Sequence, residues 1–141
     1  MLRGKRNVMA NLKRQHMLMR KKALGGMIQA AIIVRRDMDA TPPLIPVDTG
    51  ILRASWFVTT SMGAVTQGSG DQGVVAAASA KARSSASPML VMGFSASYGV
   101  FVHEMNWKEG SRPGSGPKFF ESALNRNRAA MSQVMANAIK R

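Results

Sequence analysis

The side chains able to do chemistry are few and scattered. Histidine occurs only as His16 and His103. His16 falls on the apolar side of a helical repeat and His103 sits beside Glu104, with no second ligand at the spacing a zinc or iron site needs. Asp48, Asp71, Glu104 and Glu109 lie in separate segments, so no two of them are set as a general acid and base. Glycines 110, 114 and 116 stand ahead of a helix, as in a phosphate cradle, but the Gly-Lys-Ser/Thr core of a P-loop is missing. Cysteine is absent, which removes disulfides and thiolate metal sites and fits a reducing cytoplasm. The expectation is a protein that is not an enzyme and holds no cofactor or metal.

Charge is the stronger signal. The chain has 141 residues, about one domain, and a formal net charge of +13 from 20 Lys and Arg against 7 Asp and Glu. A balance so lopsided favours a polyanionic neighbour. The cations concentrate at the start: Arg3, Lys5, Arg6, Lys13, Arg14, Arg20, Lys21, Lys22, Arg35 and Arg36 precede the first carboxylate, Asp37. The same cations interrupt any apolar core of a signal peptide, and no apolar run reaches the roughly 20 residues that span a bilayer. A soluble, unsecreted protein is expected.

The elements that must position these residues follow from periodicity and punctuation. Met9, Leu12, His16, Met19, Ala23, Met27, Ala30 and Val34 recur at three- and four-residue steps, which predicts a basic helix over 1–40. Gly25-Gly26 requires that this helix bend or pack closely on a neighbour, and Pro42, Pro43 and Pro46 end it. Segment 46–105 reads as a turn and a β-sheet: a strand from Ser55 to Met62 bounded by Gly63, a strand from Met89 to Phe94, and apolar character continuing through "SYGVFVHE". Between the strands, Gln67 to Ser87 is Gly-, Ala- and Ser-rich and reads as a long flexible hairpin or extended loop, with Val74 to Ala78 as a possible short strand. Pro117 opens one C-terminal helix over 117–141, capped by Ser115 or Gly116 and apolar at Phe120, Ala123, Leu124, Met131, Val134, Met135 and Ala138. The sum is a single small α+β domain: a long N-terminal helix, a small antiparallel or mixed sheet with a long hairpin loop, and a C-terminal helix packed on the sheet.

One compact stretch, "PVDTGILRASW" (46–56), stands out. Asp48 is suited to cap a short helical turn in which Ile51, Leu52 and Ala54 dock on the sheet, while Gly50 permits close backbone approach. As a plain structural element it is a capped connector.

This stretch, the later "GFSASYGVFVHE" (93–104) and "RPGSGPKFFESALNRN" (112–127) together resemble the head-tail joining family of long-tailed bacteriophages, whose members are described as tail-completion, neck or minor tail proteins. Val47, Asp48, Thr49, Gly50, Leu52, Arg53 and Ser55 match the first family segment. Tyr98, Val102 and Glu104 match the second, and Pro117, Phe119, Phe120 and Ala123 approximate the third. The longer "MNWKEGSRPGSG" replaces the family's short turn after the second segment. The resemblance implies a structural virion protein that forms a homo-oligomeric ring, commonly a hexamer, between the head connector and the tail tube. Genomic DNA would pass through its channel, and assembly would take place in the host cytoplasm. It further implies that Asp48, Thr49, Gly50, Leu52, Arg53, Tyr98, Glu104, Phe119 and Phe120 form the motif and its assembly contacts. In that motif Asp48 and Thr49 would fix the turn, and Arg53 would pair with Glu104.

The basic segment keeps several readings open. Its cations are a solvated face, or Arg3, Lys5, Arg6, Lys13 and Arg14, with Lys81 and Arg83, touch DNA phosphates or an acidic partner. Binding to a membrane surface is disfavoured because the apolar face carries no Trp or Phe. The alternative to a phage ring is a small basic DNA-binding protein of nucleoid or regulatory type, although no helix-turn-helix or aromatic stacking platform is evident.

Overall fold

A computed structural model describes residues 2–47, 50–105 and 112–140, with side chains from residue 4 onward. Helix α1 (Leu2–Ala40) opens the chain and is followed by a single helical turn, α2 (Ile51–Ala54). Strands β1 (Trp56–Thr60) and β2 (Gly63–Thr66) form a hairpin, then come α3 (Gln72–Ser84), β3 (Leu90–Phe94) and α4 (Gly99–Glu104). Helices α5 (Phe119–Arg126) and α6 (Arg128–Lys140) close the chain. The sheet is three-stranded and antiparallel throughout, in the order β2-β1-β3, with β1 paired to β3 from Trp56 opposite Phe94 to Thr60 opposite Leu90.

Every residue of β1 is buried, because the strand is covered on both faces. Trp56 and Val58 belong to a core with Ala31, Val34, Met38, Ile45, Leu52, Phe119 and Ala123, which places α1 and α5 on one side of the sheet. The alternate residues face α3: the hydroxyls of Thr59 and Ser79 lie 2.7 Å apart, and both are satisfied by the contact. Gly93 on β3 stands opposite Phe57, whose ring lies on that same face. Three layers result, helix on sheet on helix.

Helix α3 corrects the expectation of a long hairpin loop, and of a strand at Val74 to Ala78, within 67–87. Asp71 caps it, accepting from Gly73 N–H at 2.8 Å. Alanine is the best helix former, and small residues let the helix approach the sheet closely while Val75 and Ala82 are buried. A stretch too poor in large side chains to make its own core is thus well suited to cover another element's core. Two further expectations change. "GVFVHE" is the helix α4 rather than a continuation of the sheet. Gly63 starts a second hairpin strand rather than ending the sheet, with Thr60 Oγ1 accepting from Met62 N–H and donating to the Gly63 carbonyl.

The C-terminal helix divides at Asn127. The Asn127 side-chain amide donates to Ala123 O at 2.8 Å and to Asp37 Oδ2 at 2.9 Å, so it ends α5 and ties the break to α1. Pro117 lies in the turn before α5, and Lys118, at φ 60°, occupies the cap position expected of Ser115 or Gly116.

The Gly25-Gly26 pair is resolved as close packing. A Cβ on Gly26 would meet Ala138 Cβ at 2.9 Å and Met135 Cα at 3.0 Å, whereas one on Gly25 would meet nothing within 4 Å. Gly26 is therefore where α1 and α6 touch. In contrast, residues 4–19 of α1 are exposed on every side, a free arm of about 24 Å at the helical rise. The apolar periodicity is correct along the whole helix, but Met9, Leu12 and Met19 are uncovered and only the second half packs. Among the described residues no helix is long and apolar enough to cross a membrane.

Opposite effects are expected at the two glycines. Gly25→Ala should stabilise the fold by up to about 1 kcal/mol through helix propensity. Gly26→Ala should destabilise it by about 1–3 kcal/mol through overpacking against α6. Urea denaturation of the two variants measures both.

Candidate functional site

The three motif segments, distant in sequence, meet at one place in the fold. Leu52 of α2 is buried in the main core. It lies so near Gly99, at the start of α4, that a Cβ there would stand 3.3 Å from Leu52 Cδ1. From the third segment, Phe119 is buried and meets Phe94 edge-on at 5.7 Å and the His103 ring at 5.1 Å. Phe120 leans on Trp56 at 5.6 Å and on Phe94 at 6.0 Å, and Trp56 and Phe94 are themselves edge-to-face at 5.2 Å. Such aromatic pairs add about 0.5–1.5 kcal/mol each beyond their burial. Trp56, Phe94, Phe119 and Phe120, drawn from the three segments, are thus one cluster.

Electrostatics holds the first and third segments to the end of α1. Asp39, in the last turn of α1, accepts from Arg35 at 2.5 Å, from Arg53 of α2 at 3.0 Å and from Arg112 ahead of α5 at 2.9 Å. Arg112 also donates to the carbonyls of Ile45 and Asp39, and the Arg35 guanidinium stands 6.0 Å over the Trp56 ring. Partial burial pushes the Asp39 carboxyl up, but hydrogen bonds from Arg112, Arg53 and Arg35 outweigh it and hold the pKa at about 2. Two residues earlier, Asp37 pairs with Arg126 at 2.7 Å. Burial opposes its ionised form too, yet bonds from Thr41, Arg126 and Asn127 keep its pKa below the ordinary value.

The expected pair of Arg53 with Glu104 is therefore not formed. Arg53 reaches Asp39, because α2 lies against the end of α1. Glu104 instead takes the Lys118 ammonium and His103 Nδ1, the latter at 2.6 Å. Its pKa is lowered first by the Lys118 hydrogen bond and then by that of His103. His103 Nε2 accepts from Glu121 N–H at 3.3 Å, which assigns the ring proton to Nδ1. His103 is thus a bridge between α4 and α5.

These groups rim a cleft of about 510 Å³ between α4 and α5, whose walls include Phe94, Val100, Phe120 and Leu124, with Glu104, Lys118 and Glu121 at its edge. Lys118 stands in the left-handed backbone region, a cost of about 1–2 kcal/mol for an L-residue. Its N–H donates to the His103 carbonyl at 2.8 Å, and its ammonium pairs with both glutamates. On the outer side of α4, Phe101 is 65% exposed, and together with Pro46, Val102 and Met105 it lines a second, wholly apolar hollow.

The other anticipated residues are distributed as follows. Asp48 and Thr49 lie outside the described residues, as does the Arg3 side chain; the cap position of α2 itself is held by Gly50 at φ 80°, where glycine is favoured. Tyr98 precedes α4 and is 38% exposed. Lys5, Arg6, Lys13 and Arg14 stand exposed on the arm, away from the cluster. Lys81 and Arg83 are exposed in the last turn of α3, where they complement the helix dipole. Among the described residues no group of three or more His, Asp or Glu side chains could hold a metal ion. Sequence reasoning passed over Asp39, Arg112, Arg126 and Glu121. A signal was present for the first three, since carboxylates at a helix C-terminus are disfavoured by the dipole and call for cations from elsewhere. No protein-family model, curated protein or solved structure matches this chain.

Replacing Asp39 with Asn should cost about 2 kcal/mol at neutral pH, the value of lowering its pKa from 3.8 to about 2. Because the folded pKa is the lower one, this stabilisation is complete above the unfolded value and is lost as pH falls through the folded one. Denaturation curves of wild type and Asp39→Asn should therefore converge between about pH 4 and pH 2. At neutral pH, Arg112→Ala should cost more than Arg53→Ala: Arg112 also holds two backbone carbonyls, whereas Arg53 is 47% exposed and is worth less than about 1 kcal/mol.

Proposed function

We propose that this chain is a structural subunit of the neck or tail of a long-tailed phage, a ring-forming protein that joins the head connector to the tail tube and lets the genome pass. The observation that carries this reading is the convergence of the three family-like segments on one aromatic cluster, with the first and third also joined by one arginine-carboxylate clamp. Segments that recur together in a family of ring proteins and fold together here behave as one module. Helix α4 exposes Val100 at 70% on the cleft side and Phe101 at 65% on the outer side, and so offers the apolar area that a protein contact would cover. Virion localisation is part of the same proposal.

The exposed cations of the arm favour a second reading, a small DNA-binding protein. Salt separates the two. A phosphate-clamping protein loses affinity with a log-log slope of about 0.9 per neutralised phosphate, while ring formation does not need DNA. Light scattering after size exclusion, on nuclease-treated protein at low and high salt, should give a discrete oligomer near a hexamer under both conditions. A species that gains mass only with DNA at low salt would replace the ring with the DNA-binding reading.

A further inference from the structure

The described carboxylates are used unequally. Asp37 and Asp39 are occupied by arginines and Asp71 caps α3. Glu104 and Glu121 instead stand at the edge of the α4–α5 cleft and share one ammonium, that of Lys118. In a chain of net charge +13, carboxylate thus exceeds cation at the rim of an apolar cleft.

The N-terminal arm has the inverse character. Met9, Leu12 and Met19 prolong the stripe that is buried further along α1 as Ala30 and Val34, yet here they lie open to water. Lys5, Arg6, Lys13 and Arg14 accompany them, and none pairs with a carboxylate among the described residues. Whatever covers this arm must take both its apolar stripe and its cations. A second arm would oppose cation to cation with no carboxylate between them. Duplex phosphates would take the cations and leave the stripe wet. A lipid surface is commonly marked by Trp or Phe on the buried face, and residues 1–22 contain neither. Nor can the arm fold back onto its own body, since α1 is one continuous helix from Leu2 to Ala40.

We propose that the arm of one copy docks in the α4–α5 cleft of the next, with Leu12 and its methionine neighbours on the aromatic floor and the lysine and arginine heads on Glu104 and Glu121. The donor and acceptor surfaces differ, so the contact is heterologous: it repeats head to tail and closes a ring where the rotation permits. This inference rests on the ring-forming part of the function proposed above, for which it supplies the contact.

Two full-length variants test it. Leu12→Asp/Met19→Asp breaks the arm at side chains 59% and 47% exposed, and Val100→Lys/Glu121→Lys reverses the cleft at residues that are likewise exposed. Circular dichroism melts establish that each is folded. Each alone should be monomeric, with self-association at least tenfold weaker than wild type. Mixed in equal amounts, they should form a heterodimer and stop there, because one intact arm and one intact cleft remain. Variants that keep the wild-type oligomer mass would overturn the arm-cleft contact and leave the ring reading standing. A wild type that is monomeric at all concentrations would overturn both. A mixture that stays monomeric would also overturn the contact. So would loss of binding to phosphatidylglycerol vesicles by the arm variant with its oligomer intact, which would assign the arm to lipid.

Discussion

Asp37 and Asp39 sit in the last turn of α1, where the helix dipole makes a negative charge unwelcome. Their positions are tolerated because cations arrive from three later segments of the chain as well as from Arg35 one turn earlier. Arg53 comes from the turn after the prolines, Arg112 from the approach to α5, and Arg126 from the end of α5. Arg126 also donates to the carbonyls of Thr41 and Pro42, and so satisfies acceptors just beyond the helix end. The end of α1 is thus the fixed point to which α2, α5 and the α5–α6 break are each attached. The apolar stripes that bury Leu52, Phe119 and Ala123 turn these elements inward, and the ion pairs add fixed points at the end of α1.

Consequences for function run outward from that point. Once α5 is set by Arg126, Asn127 and Arg112, Phe119 and Phe120 enter the aromatic cluster and Lys118 is brought beside Glu104. The cleft is therefore built from parts that the clamp has already oriented. At its other end the same helix leaves the body altogether, and its first half is exposed and basic. A single element serves as the anchor of the fold and, in the proposed assembly, as its reach toward a neighbouring copy.

Much of this order was legible in the residues. The three- and four-residue spacing of Ala30 and Val34 marked α1, the β-favouring run at Trp56 to Thr60 marked β1, and the "GILRA" turn formed as α2. Periodicity did not reveal where α1 ceases to be covered, because Met9 and Leu12 follow the same repeat as buried Val34; burial depends on the partner α6, which reaches only as far as Gly26 and its neighbours. Helix α3 was hidden for a different reason. Its alanines and serines resemble a low-complexity linker, and only Asp71 ahead of them signalled a cap. The partner of Arg53 was misassigned because ion pairing is a tertiary fact: Glu104 was plausible by motif, but Asp39 is the carboxylate that the α1–α2 turn places within reach.

Ring formation is tested by imaging the purified, nuclease-treated protein by electron microscopy and averaging the particles by class. A ring-forming neck or tail subunit should give closed rings of a single size, with a central opening wide enough for duplex DNA. Isolated small particles that gather only along added DNA would contradict ring formation.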